Sequence, residues 1–303
     1  LLNMGGARNK DELKMFLTNM FNDRNILTVK SDLIRKMIAY FIVSRRLDSA
    51  WENYKFIGNA SPINPLTEKL VEKCNEKIED YKVYQAMRYT PPFAKDVIEE
   101  IIKDGITNIL LLPLYPQFST TTTKSSVQDF IDYTPYSCKL EYIEEFYKNR
   151  KFNDCIINEI ISNVEDASEY NLIFSAHGLP QKIVDKGDPY EEQMNEHVEI
   201  LKNMLEAKGV NFKSINLAYQ SKVGPLKWLE PSLEDMLKNF KEQKVIIYPI
   251  AFIVDNSETD FELDIEYREV AHDLGVKEYK VCRCVNDSDD FIEAIKDIIK
   301  GHK

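Results

Sequence analysis

The chain has 303 residues, 44% of them apolar, and a formal charge of −11. That length suits two domains of ordinary size with full cores, and the acidic balance excludes a nucleic-acid partner, which wants a basic face. No apolar stretch is long and charge-free enough to span a bilayer, no secretory signal is expected at Leu1-Leu2-Asn3-Met4, and five cysteines without a CxxC pair suit reduced thiols in a cytosol.

Apolar, β-branched runs predict strands at 1–4, 82–88, 107–114, 139–144, 171–176, 214–219, 245–253 and 278–284. Several are almost continuously apolar, as strands covered on both faces should be. Helical periodicity falls between them at 10–21, 30–46, 64–80, 92–104, 122–133, 150–163, 189–207, 231–241, 259–273 and 288–301. Alternation of this kind predicts an α/β fold of βαβ units, here two parallel sheets of four strands joined near 144–155.

In 33–47, Leu33, Met37, Ile38, Phe41 and Ile42 share a helix face, with Arg35, Lys36, Arg45 and Arg46 beside it. Such a face either packs on a core or lies on an anionic bilayer. Arg88-Tyr89-Thr90-Pro91-Pro92-Phe93 follows a strand; its arginine either forks a ligand carboxylate or ties down a loop. Tyr115-Pro116-Gln117-Phe118-Ser119 and the hydroxyl run through Ser126 open a helix. The hydroxyls there cap backbone N–H groups or help to bind an anion, and no nucleotide P-loop pattern is present. Nor has Asn3-Met4-Gly5-Gly6 the spacing of a dinucleotide fingerprint.

The run Asn171–Ala176 delivers His177, and Gly178-Leu179-Pro180 then breaks the chain. Ligands of open α/β sheets bind beyond the carboxyl ends of strands, where an imidazole can move a proton near neutral pH or bind a metal. Gln220-Ser221-Lys222-Val223-Gly224-Pro225 ends another strand, with Trp228 close behind. The strand after Val245 leads into Asp255-Asn256-Ser257-Glu258-Thr259, and Glu258, Glu262 and Glu266 recur every four residues. This carboxylate stripe is either a solvated helix face or a path for a cation or protons, since like charges at that spacing repel. His197 and His302 read as surface residues, His272 as a helix-end partner, and Cys282 and Cys284 as buried thiols.

Taken in order, these segments resemble the ferrochelatase family. The match runs through Leu2-Asn3-Met4-Gly5-Gly6, Ser61-Pro62-Ile63, Arg88-Tyr89, Tyr115–Ser119 with the threonines and serines behind it, and Ser175-Ala176-His177-Gly178-Leu179-Pro180. It continues through Gly187-Asp188-Pro189-Tyr190, Gln220–Pro225 and the Glu258–Tyr267 segment. The resemblance implies two Rossmann-like domains, 1–145 and 146–286, with a porphyrin cleft between them and the last helix, 287–303, folded back onto the first. It implies that His177 and Glu258 are catalytic and face each other across the macrocycle. Metal would be handled by His177, Glu258, Glu262, Glu266 and Asp255, with the glutamates on a distorted helix. Met4, Arg46, Ser61, Arg88, Tyr89, Ser119 and Lys222 would bind the porphyrin. Departures from the family pattern are Asn256 where His is usual, Lys124 for Gly, Ala7 for Pro, and Asn59-Ala60 for Gly-Gly.

The implied reaction is insertion of Fe²⁺ into protoporphyrin IX, the last step of haem synthesis. Two pyrrole protons leave, carboxylates pass metal inward, and binding energy along the ring holds it bent. Fe²⁺ is then a substrate, and neither a prosthetic group nor a [2Fe–2S] cluster is expected. A cytoplasmic enzyme is expected, with peripheral contact at the inner membrane face. The competing readings are a chelatase of the same fold acting on coproporphyrin or inserting cobalt or nickel, and a bilobal metal- or haem-binding protein without turnover.

Overall fold

The structure, a computed structural model, describes residues 1–222 and 226–302. The chain divides into two compact units, 1–144 and 145–303.

In the first unit β1 (Leu2–Asn3) pairs in parallel with β2 (Ala86–Met87), and β3 (Asn108–Leu111) with β4 (Lys139–Tyr142). Leu2 joins the two pairs: its N–H donates to Leu112 and its carbonyl accepts from Leu114. The expected four-stranded parallel sheet is thus present as two short ladders meeting at one residue. Leu2, Ala86, Ile109 and Leu111 pack there on Val97, Ile98 and Ile101 of α4 (Ala94–Lys103) and on Val127 and Phe130 of α5 (Thr123–Tyr133).

A second cluster in this unit joins α1 (Lys10–Asn22) and α2 (Asp32–Phe56), with α3 (Ile63–Lys77) following. α2 continues ten residues past its expected end, because no glycine or proline interrupts it before Gly58. Its buried stripe is Arg35, Ala39, Val43 and Tyr54. Arg35 is therefore not a basic residue beside an exposed face. Its guanidinium donates to the Asn22 and Val29 carbonyls and to Asp32, fastening α2 to the end of α1.

The second unit holds one parallel sheet. Its strands are β5 (Tyr170–His177), β6 (Ser214–Gln220), β7 (Lys244–Pro249) and β8 (Glu278–Val281), in the order β6-β5-β7-β8. β5, the first in sequence, sends the chain to β6 on one side and then to β7 on the other. The topological switch point therefore lies beyond the ends of β5 and β7, where open α/β sheets bind ligands. β7 stops at Pro249, short of the expected 253, because proline lacks the N–H a ladder needs and a turn follows at Ile250.

The helices of this unit are α6 (Arg150–Ser162), α7 (Gln181–Val184), α8 (Tyr190–Ala207), α9 (Leu233–Leu237), α10 (Tyr267–Asp273) and α11 (Asp289–His302). The last of these corrects the expectation for 287–303. α11 packs on α6 and belongs to the second unit. Phe291, Ile292, Ala294, Ile295 and Ile298 form its buried face, and the Phe291 ring meets Phe152. At about 1.5–3 kcal/mol per large apolar side chain buried, that face determines where the helix sits.

Candidate active site

His177 is the last residue of β5, opposite Gln220 of β6. Three contacts hold it. The buried Tyr190 hydroxyl donates to the His177 carbonyl at 2.9 Å. Gly178 donates its N–H to the Gln220 carbonyl at 2.9 Å, and a Cβ on Gly178 would lie 2.8 Å from that oxygen. Only glycine lets the two strand ends approach so closely. The imidazole Nδ1 lies 2.7 Å from the Gly178 carbonyl. A carbonyl only accepts, so Nδ1 carries a proton, and Nε2 is the nitrogen that turns toward Glu258 and has a lone pair whenever the ring is neutral.

Nε2 and Glu258 Oε2 are 3.8 Å apart, too far for a hydrogen bond. Glu258 Oε2 is buried and has no hydrogen-bond partner among the described residues. The imidazole nitrogen and the carboxylate oxygen thus oppose each other across a gap that a proton or a cation would bridge. Leaving a buried acceptor unpaired costs about 1–3 kcal/mol, which binding such a species would recover.

Glu258 opens a π-helical segment, Glu258–Glu266, that leads into α10. π-Helices are rare and concentrate at functional sites; this one is the distorted helix that the family resemblance implied. Its wide turn keeps residues four apart close to one face, and the segment runs from half-buried Glu258 and Glu262 to exposed Glu266. Glu262 accepts from the Ser221 hydroxyl at 2.6 Å, and Gln220 Nε2 lies 3.5 Å away. Gln220 is itself held by the Ser175 hydroxyl. Burial, and then the charge of Glu258, push the Glu262 carboxyl up to about 7, against the pull of the Ser221 hydrogen bond. It can therefore exchange a proton near neutrality.

Other expected site residues are placed differently. Asp255 is only 2% exposed, and its carboxylate accepts from Arg283, the Cys284 N–H and Asn286. It anchors the loop before the π-helix and stands outside the glutamate ladder. Among the described residues no group of three or more His, Cys, Asp or Glu side chains is arranged to hold a metal ion.

In the first unit Arg88 has three partners. Its guanidinium meets Asp23 and Asp129, each at 3.2 Å, and donates to Ser125 at 2.9 Å. The Tyr89 hydroxyl donates to Asp23 at 3.0 Å, and its ring is buried edge-on against Phe16. The pair ties a loop into the fold. Ser61 is buried against Gly6, where a Cβ would come within 2.6 Å of it. Ser119 is buried within its own turn, bonded to Thr121. Met4 is half-buried, whereas Arg46 and Lys222 are exposed. The Val223-Gly224-Pro225 part of the strand-end motif lies outside the described residues.

His197, expected at the surface, is fully buried. Its Nε2–H donates to Asn153 at 2.8 Å, and its ring lies against Tyr147 and Phe152. The signal was available: Tyr190, Met194, His197, Val198, Leu201 and Leu205 make one apolar stripe at helical spacing. Tyr190 and Ser221, which grip His177 and Glu262, were not predicted in those roles.

A family model for ferrochelatases matches residues 1–303. A ferrochelatase of Sulfurimonas denitrificans is 53% identical, covering 98% of this chain and 96% of that relative. One from Nitratiruptor sp. is 50% identical over 98% and 97%. Among solved structures, SirB from Bacillus subtilis with Fe³⁺ aligns over 78% of this chain and 88% of its own, with a TM-score of 0.60 and 11% identity. At that identity the likeness concerns the fold alone.

Proposed function

The chain belongs to the ferrochelatase family, and from that premise we infer that it inserts Fe²⁺ into protoporphyrin IX to make protohaem. The observation that carries the assignment of roles is the facing pair at the switch point, His177 Nε2 and Glu258 Oε2 at 3.8 Å, with Oε2 buried and without a hydrogen-bond partner among the described residues. The reaction exchanges two pyrrole N–H protons for one Fe²⁺. The Nε2 lone pair accepts a proton, Glu258 supplies a carboxylate to metal or proton, and Glu262 relays protons toward Glu266 and solvent. Fixed orientation of both groups lowers the barrier by removing reorganisation from the chemical step.

The test is turnover of Zn²⁺ and protoporphyrin into fluorescent product. His177→Ala and Glu258→Gln should each lower turnover by at least about a hundredfold, or about 2.7 kcal/mol of barrier. Quenching of protein fluorescence by protoporphyrin should persist in both. Turnover within tenfold of the parent in both variants would remove the pair from the chemistry. A parent that quenches without turnover would instead be a binding protein.

A second reading concerns the membrane. No helix among the described residues is long and apolar enough to cross one. On α2, however, Leu33, Met37, Tyr40 and Phe41 are more than half exposed, beside exposed Lys36, Arg45 and Arg46. We propose that this edge rests on an anionic bilayer surface, where an apolar porphyrin partitions. Co-sedimentation with anionic vesicles should be salt-sensitive and should fall at least about tenfold in Phe41→Asp. Equal sedimentation of both proteins would refute it.

A further inference from the structure

The first turn of any helix has N–H groups without an internal acceptor, and the i→i+5 pattern of a π-helix leaves them no closer to one. Here the residue at the boundary, Ser257, makes no side-chain cap bond. Asn256, one position earlier, does the work. Its Oδ1 accepts from the Glu258 N–H at 2.8 Å, and its Nδ2 donates to the Val254 carbonyl at 3.1 Å. Thr259 answers from the next turn. Its hydroxyl oxygen accepts from the Asn256 N–H at 2.8 Å and donates to the Asn256 carbonyl at 3.0 Å. Asn256 and Thr259 are both buried, each 3% exposed. This is a reciprocal capping box, closed around the residue whose carboxylate faces His177.

We propose that Asn256 is a positioning residue for Glu258: through the Asn256–Thr259 box it fixes the backbone of Glu258, and so the aim of Oε2 at His177 Nε2. The proposal rests on the ferrochelatase reading of Glu258. The geometry is restrictive. Glu258 Oε2 has no hydrogen bond of its own among the described residues, so nothing at the far end of the side chain corrects a misplaced backbone. Both ends of the Asn256 amide are engaged within its own loop, which marks it as a clamp and not as a group that reaches metal. A serine at 256 could still accept from the Glu258 N–H in an ST-turn and donate to Val254, whereas an alanine could do neither.

The experiment compares Asn256→Ala and Asn256→Ser with the parent by steady-state Zn²⁺ insertion and by hydrogen exchange of the Glu258 amide. In Asn256→Ala, kcat should fall at least about tenfold with the porphyrin KM within about twofold, and Glu258 exchange should quicken at least about tenfold. Asn256→Ser should stay within about threefold of the parent in both readouts. Should Asn256→Ala fail to fold by circular dichroism, Thr259→Val against Thr259→Ser reads the same box. A kcat for Asn256→Ala within threefold of the parent, or an unchanged Glu258 amide, overturns the proposal. Absence of parent turnover would count against the enzymatic reading, and amide exchange would still decide whether Asn256 holds Glu258.

Discussion

Acidification should draw a destabilising contribution from one buried residue of the second unit, His197. Its ring is fully buried between Tyr147 and Phe152, and its Nε2–H donates to Asn153. Asn153 uses its Nδ2 on the Tyr147 carbonyl, so its Oδ1 must accept and the imidazole must donate. Burial lowers the His197 pKa from 6.5 to about 3. The folded state therefore refuses a proton that the unfolded state takes below about pH 6.5. Stability is full above that value and is lost as pH falls toward 3. At pH 5 the unfolded state has gained about 2 kcal/mol from this residue alone, at 1.36 kcal/mol per pH unit. The pKa of Glu262, raised by burial to about 7, acts in the opposite sense over the same range, because there the folded state takes the proton first.

The two contributions are separated by difference. Urea unfolding of the parent and of His197→Gln, whose amide can still donate to Asn153, is followed by Trp228 fluorescence in a Trp51→Phe background. The chain has only these two tryptophans, and Trp51 lies in the first unit. Between pH 7.5 and 5 the parent should lose about 2 kcal/mol more than His197→Gln. An equal loss in both proteins would mean that His197 is protonated in the folded state, and the buried neutral donor would be wrong.

Two further substitutions test the scaffolding. Arg88→Ala leaves Asp23, 2% exposed at its side chain, as a buried carboxylate without its cation, and should cost about 3 kcal/mol in chemical unfolding; a cost under about 1 kcal/mol with a tenfold drop in porphyrin affinity would return Arg88 to the ligand. Gly178→Ala pushes a methyl group into the Gln220 carbonyl and should cost about 1–3 kcal/mol by thermal unfolding. Since the same push moves His177, Zn²⁺ insertion should also fall, and unchanged melting and turnover would contradict the close approach of the two strands.

What the sequence disclosed depended on how far apart the partners lie. The end of β5 was legible because an apolar run meets Gly-Leu-Pro directly after His177, all within ten residues. The glutamate ladder was legible as a four-residue repeat, but that repeat fits an α-helix as well as the wider π turn, so the helix type was not. Asp255 looked like a member of the acid cluster. Its partners Arg283, Cys284 and Asn286 come from about thirty residues further on, and only the folded sheet brings them in. Arg88 is similar, since Asp23 lies 65 residues away. His197 was misread for a different reason: the Lys and Glu residues around it occupy the outer face of α8 and hid the apolar stripe to which it belongs.

Arg88 and Glu258 differ in their surroundings more than in residue type. Both are charged side chains near the ends of parallel strands, and both matched a family motif. Arg88 meets two carboxylates and a hydroxyl, so its charge is already balanced within the fold. Glu258 has its backbone clamped by Asn256 and its Oε2 buried without a partner, facing a histidine whose other nitrogen is already engaged. A buried acceptor of that kind persists because the surrounding structure holds it there at a cost. Binding a proton or a metal relieves the cost, and the rigid hold on both groups ensures that the relief is felt at one place. Glu262, next on the ladder, keeps one hydroxyl donor and a pKa near neutrality, and so retains the capacity to exchange a proton beside that site.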